Sequence, residues 1–67
     1  MIDITVNGRR EQLPAALPVA ELLQRMNLAE RRVAVEVNGA IVPKSRHLDH
    51  RIVDGDEVEI VQAIGGG

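Results

Sequence analysis

Hydrophobic and polar positions alternate at both ends of the chain. Ile2, Ile4 and Val6 are separated by Asp3 and Thr5. A period of two marks a strand with one buried face. Asn7-Gly8 follows, a pair suited to a type I′ hairpin turn because both central residues take positive φ. The return strand is expected over Arg9 to Leu13, and Pro14 ends its pairing for want of an N–H. The period then changes. Val19, Leu22, Leu23 and Met26 fall at i, i+3, i+4 and i+7, one face of a helix. Pro18 suits the first turn of that helix, and Asn27 can take the left-handed conformation that ends it. About nine helical residues are too few to stand alone in water. The helix is therefore expected to lie on a sheet through those four side chains.

Alternation returns in Val33, Val35 and Val37. Asn38-Gly39 predicts a second hairpin, with a short strand from Ala40 to Val42 closed by Pro43. Residues 44–51 are polar, with Leu48 as the expected anchor. Asp54-Gly55-Asp56 reads as a turn. The last strand is expected from Glu57 to Ile64. Val58 and Ile60 would point inward, with Glu59, Val61 and Ala63 on the opposite face. The chain closes on Gly65-Gly66-Gly67. Strands on both sides of one helix predict an α+β domain, a mixed sheet of about five strands with the helix on one face. Residues 1–64 form that domain and residues 65–67 a flexible glycine tail.

Composition narrows the function. The 67 residues make one small domain, too small to wall a deep catalytic cleft by itself. Cysteine is absent, so neither a disulfide nor a thiolate metal site can form, and sulfur cannot ride on a cysteine side chain. Phe, Trp and Tyr are also absent, which removes the usual platform for stacking single-stranded bases. Eight basic residues are scattered among ten acidic ones, a balance that argues against a nucleic-acid footprint. No apolar run approaches the roughly 20 residues needed to span a bilayer. The N-terminus lacks the pattern of a signal peptide. A cytoplasmic domain is expected, with no nucleic-acid or membrane partner.

The tail carries the chemistry. Glycine has no Cβ, so Gly65, Gly66 and Gly67 can lie extended in a channel that any side chain would block. Such a tail can thread into a partner's active site and present its terminal carboxylate. That carboxylate is ionised at neutral pH and is a poor electrophile. It needs activation, most simply as an acyl-adenylate formed from ATP. A nucleophile can then displace AMP, and a sulfur nucleophile leaves a thiocarboxylate on Gly67. Val61 and Ala63, exposed beside the tail, form a candidate docking surface.

Three segments in this order are similar to a known family: Ile2-Asp3-Ile4-Thr5-Val6-Asn7-Gly8; Val35 through Ser45, containing Asn38-Gly39; and Asp54 through Gly67, ending in diglycine. They resemble the ThiS family, the ubiquitin-like sulfur carriers of thiamine biosynthesis, across the whole chain. The resemblance implies a β-grasp fold with the first and last strands parallel and central. It implies adenylation of Gly67 by an adenylyltransferase related to ubiquitin-activating enzymes, which uses ATP and Mg²⁺. It further implies sulfur supplied ultimately by a cysteine desulfurase and delivered to thiazole synthase. The chain itself would bind no cofactor and act as a carried co-substrate rather than an enzyme. Gly66 and Gly67 match the family's diglycine, whereas the match assigns no separate role to Gly65.

Three other readings compete. The small subunit of molybdopterin synthase tends to be longer, with aromatics near the tail. A protein modifier would form an isopeptide through Gly67. An interaction domain with an inert tail would tolerate an added residue there. His47 and His50 are only two candidate metal ligands, in a segment read as an exposed connection. Arg9-Arg10 and Arg31-Arg32 are read as solvated edge residues.

Overall fold

The computed structural model of the chain describes residues 1–62. β1 (Ile2–Val6) and β2 (Arg9–Leu13) form the first hairpin, with Ile2 opposite Leu13 and Val6 opposite Arg9. Asn7 and Gly8 both take positive φ, at 51° and 81°, as the type I′ turn requires. A two-residue strand β3 (Leu17–Pro18) leads into helix α1 (Val19–Arg25). β4 (Val33–Val37) and β5 (Ala40–Val42) make the second hairpin, again turning on an Asn-Gly pair with φ of 52° and 84°. A 3₁₀ turn at Lys44–Arg46, the short strand β6 (Arg51–Ile52) and β7 (Glu57–Gln62) complete the order.

The main sheet runs β2-β1-β7-β4-β5. β7 lies at its centre, parallel to β1 and antiparallel to β4. With α1 on one face, this is the β-grasp arrangement that the family resemblance implies. The core joins the inward residues of the sheet, among them Ile4, Val6, Val35, Val58 and Ile60, to Val19, Leu22 and Leu23 of the helix.

Helix α1 has seven residues rather than nine. Pro18 precedes it in extended conformation and has no N–H to leave unpaired. The first helical donors are capped from a distant segment, with Val19 N–H donating to the His50 carbonyl and Ala20 N–H to that of His47, both at 2.9 Å. At the other end, Asn27 takes φ of 60°. Asn27 N–H donates to the Gln24 carbonyl and Leu28 N–H to that of Leu23. This pair of bonds is a Schellman closure. Met26 sits at the C-cap and is 37% exposed, so the helix contact has three members and not four.

Residues 44–51 correct the sequence reading more sharply. Leu48 is 79% exposed and anchors nothing, whereas His47 is 8% exposed. The His47 Nε2 atom lies 3.0 Å from the Val42 carbonyl oxygen. A carbonyl only accepts, so Nε2 carries the proton and donates. A polar residue can anchor this segment because its hydrogen bond offsets the cost of burial. Beside it, β3 and β6 pair antiparallel, Leu17 with Ile52 and Pro18 with Arg51, in a second two-stranded sheet. Runs of two residues carry no periodicity, so the sequence pattern predicts no strand at either place.

Candidate functional site

The candidate site is the far end of β7 together with the glycine tail. Ala63, Gly65, Gly66 and Gly67 lie outside the described residues, as does the domain boundary drawn at residue 64. The structure does place Val61, along with the elements that aim the strand.

Two Asn-Gly turns hold β7 in place. β1 pairs with β7 through Thr5 and Val6 and then turns away at Asn7. The Asn7 backbone N–H donates to the Val58 carbonyl at 2.9 Å. Its side chain continues where the backbone cannot. Asn7 Nδ2 donates to the Ile60 carbonyl at 3.1 Å, and Ile60 N–H donates to Asn7 Oδ1 at 2.8 Å. A carboxamide thus stands in for the next peptide unit of the ladder. Asn38 does related work at the near end, where Glu57 N–H donates to Asn38 Oδ1 at 2.9 Å and Asn38 N–H to the Glu57 carbonyl at 2.7 Å. Asn38 Nδ2 also donates to Asp56 Oδ1 at 3.0 Å, and Asp56 Oδ2 accepts from Val53 N–H at 2.9 Å. The entry into β7 is therefore tied to the turn before it.

Sequence reasoning identifies both asparagines only as turn formers. Their tolerance of positive φ is legible, but their side-chain partners lie 53 and 18 residues away. This arrangement makes a prediction. Asn7→Gly keeps the positive φ and removes both side-chain bonds, so a fall in stability of about 1–3 kcal/mol is expected. Amide exchange at Ile60 is expected to accelerate with it. Unchanged exchange at Ile60 would show that the carboxamide does not hold the strand.

The sheet face away from the helix carries Val61, 58% exposed, opposite exposed Ala34. Glu59 faces Glu36 two positions along, and Ile41, 70% exposed, faces Glu36 from β5. Val61 is thus exposed on the face expected from sequence, beside exposed Ala34 and Ile41. Like charges directly opposite on neighbouring strands disfavour the isolated sheet.

His47 and His50 do not form a site together. His47 is buried with Nε2 bonded to Val42, whereas His50 is exposed and uses its carbonyl to cap α1. Among the described residues, no group of three or more His, Asp or Glu side chains could hold a metal ion. Among those residues, too, no helix is long and apolar enough to cross a membrane.

Comparison with known proteins agrees with this geometry. The ThiS family model matches residues 3–67. The sulfur carrier protein ThiS of Escherichia coli K12 is 32% identical over 66 residues, covering 98% of this chain and 100% of that protein. A thiazole synthase from Paramagnetospirillum magneticum is 42% identical over 66 residues, but the chain spans only 20% of its length. Among solved structures, the crystal structure of thiamine biosynthesis protein ThiS from Geobacter metallireducens superposes with a TM-score of 0.86 at 33% identity. It covers 98% of this chain and 100% of that one.

Proposed function

The chain belongs to the ThiS family, and from that membership we infer that it is a sulfur carrier of thiamine biosynthesis whose working group is the Gly67 carboxylate. A partner adenylyltransferase binds ATP and Mg²⁺. An oxygen of the Gly67 carboxylate attacks the α-phosphorus, and pyrophosphate leaves. Hydrosulfide, its sulfur supplied ultimately by a cysteine desulfurase and brought to the sulfide level by a thiol reductant, attacks the acyl carbon of the adenylate. The C–S bond forms as the bond to the phosphate oxygen breaks, and AMP leaves. The product is a thiocarboxylate on Gly67, which delivers its sulfur to thiazole synthase. The chain is a co-substrate in this scheme and holds no cofactor. We place the chemistry in the cytoplasm, where ATP is supplied.

The observation that carries the reading is a central strand, held at Asn7 and Asn38, followed in sequence by Ala63-Ile64 and then Gly65-Gly66-Gly67. Such an end suits a channel closed to side chains, with Gly65 and Gly66 threading and Gly67 reacting. The homologous stretch within a protein named thiazole synthase supports that enzyme as a partner.

The test is the intact mass of the protein after incubation with its adenylyltransferase, ATP and a sulfide source. A gain equal to exchanging one oxygen for sulfur is expected. An unchanged mass with a demonstrably active adenylyltransferase overturns the carrier reading.

Val61 and Ala63 are proposed to seat against the adenylyltransferase. Val61→Asp puts a charge into that contact, so adenylation efficiency is expected to fall on the order of tenfold. Val61 is exposed, and the thermal midpoint is expected to hold. Steady-state adenylation at varied carrier concentration reads the effect. Unchanged kinetics would remove Val61 from the docking surface.

A further inference from the structure

Behind the end of β7, the loop joining α1 to β4 leaves an open cleft of about 350 Å³. Leu23 and Val33 contribute to an apolar floor. Arg31 and Arg32 line it from the loop, Lys44 from the turn after β5, and buried His47 closes one side. Among the described residues no Asp or Glu lines this cleft, and Glu30 belongs instead to an adjoining depression beside Arg31. Among the described residues, no carboxylate lies within ion-pair distance of the three cations, and the ion pair present is Arg25 with Glu21 on α1. Along the sequence, Arg31-Arg32 is a solvated pair. In the fold, a third cation from a separate element, Lys44, joins it over apolar ground.

This concentration stands out because the chain as a whole carries a net charge of −2. The outer sheet face bears Glu36, Glu57 and Glu59, so the two surfaces differ in sign. The cleft also borders the end of the described strand, since Val33 lines it and pairs with Gln62, the last described residue of β7. Gly67 follows Gln62 by five residues, a reach of at most about 18 Å, so a macromolecule receiving Gly67 comes close to this edge. Free phosphate would satisfy the cations and leave the apolar floor open to water. A carboxylate side chain flanked by an apolar residue satisfies both.

We propose that the Arg31, Arg32 and Lys44 cleft docks an acidic, apolar-flanked surface segment of the thiazole synthase that receives the tail. The inference rests on the carrier reading above. Opposite charges at the rim of an interface speed and orient encounter, and salt weakens them. A carrier that must bind, deliver and leave is suited by attraction of that kind.

The test tracks sulfur transfer from the thiocarboxylated protein to thiazole synthase at varied carrier and NaCl concentration. Arg31→Glu/Arg32→Glu is expected to raise KM for the carrier on the order of tenfold at low salt while kcat holds. The wild-type KM is expected to climb with salt, and that of the variant is not. Lys44→Glu repeats the test from a second element, should the double variant fold poorly. Arg31→Lys/Arg32→Lys keeps the charge and is expected to stay near wild type.

Charge reversals that leave KM unchanged, or a lysine pair as impaired as the glutamate pair, overturn the docking site alone. Stronger inhibition by inorganic phosphate than by chloride at equal ionic strength assigns the cleft to a free anion, and this too overturns the proposal. If the wild-type protein never acquires sulfur, the carrier reading fails first and the docking site falls with it. The mass measurement separates that case from the others.

Discussion

Deleting Gly67 is expected to abolish thiocarboxylate formation while leaving the folded domain intact. One residue of extended chain spans about 3.3–3.6 Å. Without Gly67, the new terminal carboxylate on Gly66 falls short of the α-phosphorus by that length. Misplacing a reacting group by only about 1 Å can cost about a hundredfold in rate. A displacement of a full residue is therefore expected to lower adenylation by at least about that factor. Adding one residue after Gly67 is expected to do the same, because it overshoots the reacting position and brings a Cβ into the channel. The measurement is pyrophosphate release by the adenylyltransferase, paired with a thermal melt. The melt is expected to be unchanged, because the buried core among the described residues runs from Ile4 to Ile60. Equal adenylation with either altered length would return the tail to an inert end.

The largest expected effect on stability lies far from the tail, at Ile52. This side chain is 0% exposed, within β6 and opposite Leu17. Ile52→Ala removes buried carbon and leaves a cavity, a change that costs about 2–5 kcal/mol. The stability typical of a chain this size is only about 3–10 kcal/mol. A loss of roughly 3 kcal/mol lowers the midpoint of a domain this small by about 12–24 °C. Denaturant unfolding is expected to show an earlier midpoint at an unchanged slope. A shift under about 1 kcal/mol, below the range for such a cavity, would mean that the minor sheet collapses onto the space and is not a rigid wall of the core. Ile52→Val removes one methylene, with an expected cost of about 0.5–1.5 kcal/mol. The graded pair separates packing from a general failure to fold.

Ile52 also marks where sequence reasoning stops. It sits in Arg51-Ile52-Val53, too short a stretch to show a period, and its partner Leu17 lies on the far side of the helix in sequence. Leu48 and His47 show the same limit in another form. Hydropathy favours leucine as the anchor, yet the Val42 carbonyl stands where an imidazole can reach it, so the histidine is buried. Met26 fits the helical face by spacing, but the helix ends before it and the C-cap turns it outward. Ile52 depends on a partner remote in sequence, Met26 on where the helix stops, and His47 on a turn that folds the chain back onto the Val42 carbonyl.

The features that local chemistry controls are legible from the chain alone. Alternation in β1, β4 and β7 follows from one face meeting the core, and both Asn-Gly turns follow from tolerance of positive φ. The glycine end follows from composition, because nothing but glycine presents a bare backbone. The parallel pairing of β1 with β7 is implied only by family resemblance, since periodicity cannot order strands. Other features exist only in three dimensions. These are the Asn7 carboxamide that extends the ladder to Ile60, the capping of α1 by His47 and His50, and the union of Lys44 with Arg31 and Arg32 around one cleft. Each joins groups far apart along the chain. The sequence by itself determined the main strands, the helix and the glycine end, because those depend on neighbours. Only the tertiary structure decided how β7 is held and which groups surround its last described residues, because those depend on contacts that chain closure creates.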